Sequence, residues 1–214
     1  PMASDFAALL RDPVTITVSG VRVRIPYRPA AEWARALTHL EMLAALLADE
    51  MGLGKTVQAA VALALVLREA GMDRALVVAP APLALNWERE LTKWAPSLVV
   101  RRVTGGVDER SVLYQLPVDV LIASYEQIRT DALDRIPSSY FDVVVLDEAQ
   151  RIKNKDSQTA FACRLLPRKR AWAMSATPLE NSRKDLESVL AWVKPGLIGR
   201  ETPREELLQQ LGPF

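Results

Sequence analysis

The stretch Leu46-Leu47-Ala48-Asp49-Glu50-Met51-Gly52-Leu53-Gly54-Lys55-Thr56 determines the fold that this sequence predicts. An apolar run enters a turn that contains two glycines, and the Lys-Thr pair then begins a segment with helical periodicity. A strand, a loop and a helix in this order are the context that a phosphate-binding loop requires. The glycines suit that role because a Cβ atom would block the close approach of the backbone to a phosphate.

The loop offers several groups that suit a nucleotide and its metal ion. Backbone N–H groups of residues 52–56 would converge on a phosphate, where the helix N-terminus adds a partial positive charge. The Lys55 ammonium would reach the β- and γ-phosphates, and the Thr56 hydroxyl would ligate magnesium. Asp49 replaces the first glycine of the strict pattern G-x-x-x-x-G-K-[ST], so a Gly-Lys turn that only begins a helix stays open. The predicted nucleotide-binding residues are Asp49, Glu50, Met51, Gly52, Leu53, Gly54, Lys55 and Thr56.

Length and composition limit the classes of protein to which the chain can belong. Its 214 residues suit one large domain, or one domain with a small appendage. Lys and Arg number 27 and Asp and Glu number 26, so the chain as a whole has no charge signature, and any nucleic-acid-binding surface must be a local basic patch. The single cysteine, Cys163, excludes an internal disulfide and fits a reducing compartment. No signal-peptide pattern is visible, and the longest apolar run, residues 59–67, is too short to cross a bilayer. We therefore expect no membrane partner, and a cytoplasmic, nucleoid-associated or, in a eukaryote, nuclear location.

Apolar strands alternate with amphipathic helices along most of the chain. Residues 14–25 predict a β-hairpin outside the main sheet, with Arg22 and Arg24 on a solvated face rather than against phosphates, and residues 30–42 predict a helix. Near-continuous apolar strands are typical of a parallel sheet covered on both faces, so the rest predicts a doubly wound α/β domain. The predicted strands are residues 43–49, 74–79, 98–103, 118–124, 141–147 and 170–175, and the predicted helices are residues 56–70, 83–94, 109–116, 125–133, 156–165 and 183–193. The basic run at residues 168–170 is predicted to be a solvated loop.

Two polar segments follow predicted strands, at the ends where such sheets bind ligands. Asp147 can hold the magnesium ion that bridges the phosphates, Glu148 can deprotonate the attacking water, and Gln150 can sense the γ-phosphate or that water. An acidic cap on the following helix is the alternative. The hydroxyls of Ser175 and Thr177 can hydrogen-bond the Asp-Glu segment and register the nucleotide state, with a Ser/Thr-Pro turn as the alternative.

These segments, in this order, resemble the first RecA-like lobe of superfamily 2 helicase-type ATPases, and more closely the Swi/Snf family of double-stranded DNA translocases. Together the matching segments cover about residues 43–199. The resemblance includes Asp49, where strict Walker loops have glycine. Motif I matches residues 48–58, motif Ia residues 77–80 with 86–87 and 94–96, motif Ib residues 123–126, motif II residues 147–154 and motif III residues 175–181.

The resemblance implies a RecA-like P-loop domain that hydrolyses ATP with Mg²⁺ in a DNA-dependent manner. Lys55, Thr56, Asp147 and Glu148 would then serve ATP and magnesium. Contacts to the phosphates of double-stranded DNA, which position a protein without reading sequence, are implied for four residues: Pro80, Ser124, Lys153 and Asn154. The implied domains are an N-terminal extension with the hairpin at residues 1–29, a RecA-like ATPase lobe at residues 30–200 and a C-terminal tail at residues 201–214.

Two departures from the family pattern qualify this expectation. The family usually has an Arg-Pro-Tyr-Gln segment whose Gln reads adenine, whereas residues 28–31 are Arg-Pro-Ala-Ala, which puts adenine specificity in doubt. The sequence also contains nothing that resembles the second RecA-like lobe, which carries the arginines that stabilise the transferring phosphoryl group. Such an arginine is worth roughly 10³–10⁵ in rate, so turnover is expected only together with a second lobe.

Two other functions stay open at this stage. One is a lobe of a superfamily 2 RNA helicase, and the other is a binding module that no longer hydrolyses ATP. The Asp-Glu-Ala-Gln segment with its Arg-Ile-Lys-Asn extension favours the DNA translocase over the RNA helicase. The presence of Lys55, Asp147 and Glu148 argues for hydrolysis rather than for binding alone.

Overall fold

A computed structural model describes residues 14–18, 21–25, 45–48, 55–69, 71–136, 141–175 and 183–193. The predicted helix at residues 30–42, the loop at residues 49–54 and Thr177 lie outside these residues. Strands β1 (Val14–Val18) and β2 (Val21–Ile25) pair antiparallel and form a two-stranded sheet of their own. The predicted hairpin outside the main sheet is therefore confirmed.

The main sheet has six strands, and every neighbouring pair is parallel. Its strand order is β3-β8-β7-β4-β6-β5, which places β7 near the middle of the sheet. All residues of β4, β6 and β7 are buried, as expected for strands that are covered on both faces. The strands are β3 (Ala45–Ala48), β4 (Ala75–Ala79), β5 (Val100–Arg102), β6 (Val120–Ser124), β7 (Phe141–Leu146) and β8 (Arg168–Ser175).

Helices cover both faces of this sheet, because successive strand side chains point to opposite sides. Leu76 and Val78 of β4 pack in one apolar core with α4, α5 and α6, whereas Val77 packs in a second core with α1 and α2. The doubly wound α/β prediction is confirmed, with boundaries shifted by a few residues. The helices are α1 (Lys55–Glu69), α2 (Ala84–Trp94), α3 (Val107–Leu113), α4 (Tyr125–Asp131), α5 (Gln158–Leu165) and α6 (Arg183–Val193), with short 3₁₀ helices at Ala81–Leu83 and Ala149–Ile152.

The basic run at residues 168–170 is not the solvated loop that its charge predicts, because it forms the start of β8. Arg168 donates a hydrogen bond of 2.8 Å to the Trp192 carbonyl and lies 4.3 Å from the centroid of that indole ring. The Lys169 ammonium lies 2.6 Å from an Asp142 carboxylate oxygen. Specific partners in α6 and β7 therefore accommodate these cations within the strand.

A buried ion pair joins α3 to α4. Asp131 is fully buried, and its two carboxylate oxygens accept hydrogen bonds of 2.7 and 2.8 Å from Arg110. Thr130 and Tyr114 donate two further hydrogen bonds, of 2.9 and 3.2 Å. Burial alone would raise the pKa of Asp131, but the hydrogen bonds from Arg110 and Thr130 hold that pKa below its ordinary value.

We predict that Asp131→Asn lowers the free energy of unfolding by about 3–5 kcal/mol at pH 7, because it leaves the Arg110 charge buried without its carboxylate. Urea denaturation followed by circular dichroism measures this change, with Asp134→Asn, at an exposed site three residues later, as the matched control. The pKa of Asp131 is lower in the folded state than in the unfolded state. Its carboxylate therefore stabilises the fold fully above the unfolded-state pKa of about 3.9, and this stabilisation is lost as the pH falls from there through the folded-state pKa. An equal effect of the two substitutions at pH 7 would contradict the prediction.

Candidate functional site

The sheet itself assembles the candidate site. All its strands are parallel, so their carboxyl ends lie at one edge, where open α/β sheets bind ligands. The predicted residues Asp147 and Pro80 follow β7 and β4, and Ser175 and Ser124 end β8 and β6. The strand register aligns these ends through four backbone pairs: Ala48 with Ser175, Leu146 with Ala173, Val78 with Leu146, and Ala79 with Ser124.

Lys55 and Thr56 form the start of α1, directly after the predicted loop, and both are half-buried. The first turn of α1 contains no acidic residue, so none of its own side chains repels an anion at this helix N-terminus. The positive charge of Lys55 acts on the Asp147 carboxylate and favours its ionised form. Lys55 is therefore close enough to the end of β7 for its charge to act on Asp147. Thr56 is the second residue of α1. The other six predicted nucleotide-binding residues lie outside the described part of the chain: Asp49, Glu50, Met51, Gly52, Leu53 and Gly54.

Asp147 is the most constrained residue of the site. It is 6% exposed, and its Oδ2 accepts a hydrogen bond of 2.7 Å from the Trp87 indole N–H. Its Oδ1 accepts a bond of 3.0 Å from the Glu148 backbone N–H, and its carbonyl accepts one of 2.7 Å from the Tyr125 hydroxyl. Burial raises the pKa of Asp147 above its ordinary value, and the Trp87 hydrogen bond and the Lys55 charge oppose that rise.

The oxygen donors at this edge fit a magnesium ion. Each Asp147 carboxylate oxygen accepts one hydrogen bond and keeps a second lone pair. Mg²⁺ is usually held by one or two carboxylates together with phosphates and water, so a single carboxylate with the Thr56 hydroxyl is a suitable set. Among the described residues, no group of three or more His, Cys, Asp or Glu side chains is arranged to hold a metal ion.

Glu148 has a left-handed backbone conformation, with φ of 52° and ψ of 52°. A residue with a Cβ atom pays about 1–2 kcal/mol for this conformation. The turn joins the end of β7 to the 3₁₀ helix at Ala149–Ile152, and the Glu148 side chain makes no capping hydrogen bond to that helix. The alternative of a simple acidic helix cap therefore has no support from this geometry.

A chain of hydrogen bonds links the ends of β7 and β8. The Gln150 side-chain amide donates to a Glu148 carboxylate oxygen at 2.6 Å. The Ser175 hydroxyl in turn donates to the Gln150 amide oxygen at 2.7 Å. The structure thus brings three predicted residues into direct contact and leaves Glu148 half-buried beside them.

The predicted DNA-contact residues lie in different surroundings. Ser124 is 7% exposed, and its hydroxyl caps α4 by accepting a bond of 3.2 Å from the Gln127 N–H. Pro80 is buried and immediately precedes the 3₁₀ helix at Ala81–Leu83, whereas Lys153 and Asn154 are exposed. The Ser124 side chain therefore serves the fold directly, and Lys153 and Asn154 offer the more accessible polar groups.

The sequence did not predict that Trp87 and Tyr125 donate hydrogen bonds to Asp147, or that the backbone of Glu148 is left-handed. In the sequence the two aromatic residues lie within the matching segments 86–87 and 123–126, where no separate role is implied for them. A buried indole N–H or phenol O–H usually has a hydrogen-bond partner, so the sequence could have indicated that Trp87 and Tyr125 each bond a polar group. That signal does not identify the partner, and nothing in the local pattern pointed to Asp147.

None of the helices in the described part of the chain has the length and apolar character needed to cross a membrane.

Comparison with known proteins identifies similar sequences and structures. The model of a family described as the SNF2-related domain matches residues 28–209. An uncharacterised ATP-dependent helicase of Mycoplasma genitalium is 35% identical over 176 residues, which are 81% of this chain and 17% of that protein. The ISWI chromatin-remodeling complex ATPase ISW2 of Saccharomyces cerevisiae is 33% identical over 180 residues, covering 80% of this chain and 16% of the relative. The chain thus spans about a sixth of the length of these two relatives.

A solved structure shares the fold. The Sulfolobus solfataricus SWI2/SNF2 ATPase core in complex with dsDNA matches with a TM-score of 0.68 and 31% identity. The match covers 84% of this chain and 36% of that chain. It confirms the predicted RecA-like α/β fold.

We predict that Glu148→Gly is more stable than Glu148→Ala by about 1 kcal/mol, because both lose the side chain and only glycine adopts the left-handed backbone freely. Urea denaturation of the two variants measures the difference. The matched control is Arg89→Gly against Arg89→Ala at an exposed position within α2, where alanine should be the more stable residue by about 1 kcal/mol. The same order of stability at both positions would contradict the left-handed assignment.

Proposed function

The chain belongs to the SNF2-related family, and on that premise we propose that it forms the first of two RecA-like lobes of an ATPase that translocates on double-stranded DNA. One observation supports the proposal: Asp147 and Glu148 follow β7 at the carboxyl edge of the sheet, close enough to Lys55 for its charge to act on Asp147. That combination suits a phosphate chain, a divalent cation and a water molecule. The domain boundaries at residues 29–30 and 200–201 remain predictions.

Different residues of the chain would have different roles in ATP hydrolysis. Lys55 would bind the β- and γ-phosphates, and Thr56 and Asp147 would hold Mg²⁺, which when bound neutralises charge on the phosphoryl oxygens. Glu148 would orient the attacking water and accept its proton. Gln150, at 2.6 Å from Glu148, would hold that carboxylate in place and connect it to Ser175.

Double-stranded DNA is the proposed nucleic acid along which the ATPase moves. The support is the family membership and the similar ATPase core, whose structure is described as a complex with dsDNA. DNA phosphates would lie across Pro80, Ser124, Lys153 and Asn154, at the same sheet edge or just beyond it. Such contacts position the protein independently of base sequence, as a translocase requires.

The second lobe is proposed to complete the site. In the two-lobed ATPases that the sequence resembles, the second lobe carries arginines that stabilise the transferring phosphoryl group. Such an arginine stabilises the transition state by a factor of roughly 10³–10⁵. The lobe described here would then bind nucleotide through one wall of the site and hydrolyse it slowly by itself.

We predict that this chain alone turns over ATP slowly and that a second RecA-like lobe, in the same polypeptide or added separately, raises the rate by about 10³ or more when duplex DNA is present. The measurement is phosphate release with and without duplex DNA, with single-stranded RNA as the control nucleic acid. Stimulation by RNA and not by duplex DNA would favour an RNA helicase lobe. Brisk DNA-stimulated turnover by the chain alone would contradict the two-lobe proposal.

We also predict that Glu148→Gln retains ATP binding and loses turnover in the two-lobed protein, since the amide preserves shape but cannot accept the proton. Lys55→Ala should instead lose most ATP affinity, because it removes the cation that faces the phosphates. Calorimetry with ATP and magnesium measures affinity, and phosphate release measures turnover. Near-normal turnover of Glu148→Gln would assign the base to another carboxylate, with Asp49 tested next.

A further inference from the structure

We propose that Trp87 and Tyr125 are positioning residues that transmit DNA binding to the magnesium ligand Asp147, each from one of the two DNA-contact segments. The proposal rests on the proposed function, because it takes Pro80 and Ser124 to lie against DNA phosphates. It adds a physical connection between that surface and the metal site. Two aromatic hydrogen bonds, one to the carboxylate and one to the carbonyl of the same residue, form the connection.

Trp87 connects the first segment to Asp147. Pro80 immediately precedes the 3₁₀ helix at Ala81–Leu83, which continues without interruption into α2, and the Leu83 N–H donates to the Pro80 carbonyl at 2.8 Å. Trp87 is the fourth residue of α2, is fully buried, and places its indole N–H 2.7 Å from Asp147 Oδ2. A shift of the Pro80 segment is therefore carried by a continuous helical unit to a carboxylate oxygen.

Tyr125 connects the second segment to the same residue. It directly follows Ser124 and is the first residue of α4, so any movement of Ser124 on a phosphate also moves the Tyr125 backbone. Its side chain is 1% exposed, and its hydroxyl donates to the Asp147 carbonyl at 2.7 Å. This bond holds the backbone at the point where the chain leaves β7 for the left-handed Glu148.

The two contacts reach Asp147 from opposite faces of the sheet. Trp87 belongs to the apolar core that includes α1 and α2, and Tyr125 belongs to the core that includes α4, α5 and α6. Asp147 is held between these cores at a strand end, where its orientation depends on both. Residues that orient a metal ligand typically change metal affinity or activity by 10–100-fold when they are mutated.

Both hydrogen bonds also satisfy buried polar groups, as any folded protein requires, so the test separates positioning from folding. Trp87→Phe and Tyr125→Phe each remove one donor and keep the ring. Two matched controls remove equivalent donors elsewhere. Trp94→Phe acts in the same helix, where the indole N–H bonds Glu90 at 2.8 Å, and Tyr114→Phe removes a buried tyrosine–aspartate bond to Asp131.

The first measurement requires no DNA. Mn²⁺ is titrated into this chain with bound ATP and followed by electron paramagnetic resonance, and ATP affinity without metal is measured by calorimetry. We expect Trp87→Phe to weaken Mn²⁺ affinity at least about tenfold and to leave the metal-free ATP affinity within about twofold of the unsubstituted chain. The two controls should leave both affinities unchanged.

The second measurement uses the two-lobed protein at saturating Mg²⁺. We expect Trp87→Phe and Tyr125→Phe each to lower the ratio of DNA-stimulated to basal turnover about tenfold, while duplex DNA affinity stays unchanged. If Trp87→Phe does not fold by circular dichroism, Tyr125→Phe carries the test. Unchanged Mn²⁺ affinity, or unchanged stimulation in both variants, would overturn the proposal. Absence of DNA stimulation in the unsubstituted two-lobed protein would instead overturn the proposed function.

Discussion

The parallel pairing of β7 on both of its edges is the constraint on which the rest of the structure depends. β8 and β4 pair with it, and every residue from Phe141 to Leu146 is buried. A strand in this position has no freedom to shift by one residue, because a shift would turn its core side chains to the opposite face. Asp147 therefore leaves the sheet at a defined point, at the same edge as the end of β8 and close enough to Lys55 for its charge to act on it.

A carboxylate at this point loses the water around it, and fixed hydrogen bonds offset that loss. Trp87 and the Glu148 N–H each bond one Asp147 oxygen, and Tyr125 bonds its carbonyl. Electrostatic preorganisation requires polar groups that are already fixed in position, and these hydrogen bonds are of that kind. The strained backbone of Glu148 belongs to the same arrangement, since residues in rare conformations persist where surrounding structure holds them.

The proposed dependence on a second lobe would give the ATPase a physical basis for control. One lobe can bind nucleotide while it lacks the groups that stabilise the transition state. Hydrolysis would then begin only when the second lobe closes over the bound nucleotide. DNA that spans both lobes would favour the closed arrangement. The connection through Trp87 and Tyr125 would add a local effect within this lobe, acting on the metal ligand itself.

The sequence by itself determined the order and type of the elements. Predicted and observed bounds of α6 coincide, and those of β7 differ by one residue, because apolar periodicity records which residues are buried. The predicted site residues Asp147 and Ser175 follow from the same reasoning, since parallel strands end at one edge, whereas Ser124 was predicted from the family resemblance. Only the tertiary structure decided which residues contact one another across the sequence. Trp87 and Asp147 are 60 residues apart in the sequence. Arg168 is accommodated in β8 because it donates a hydrogen bond to the Trp192 carbonyl. Glu148 is left-handed because the chain turns there from β7 into the next 3₁₀ helix. Local pattern specifies burial, whereas the choice of partner depends on packing between distant segments.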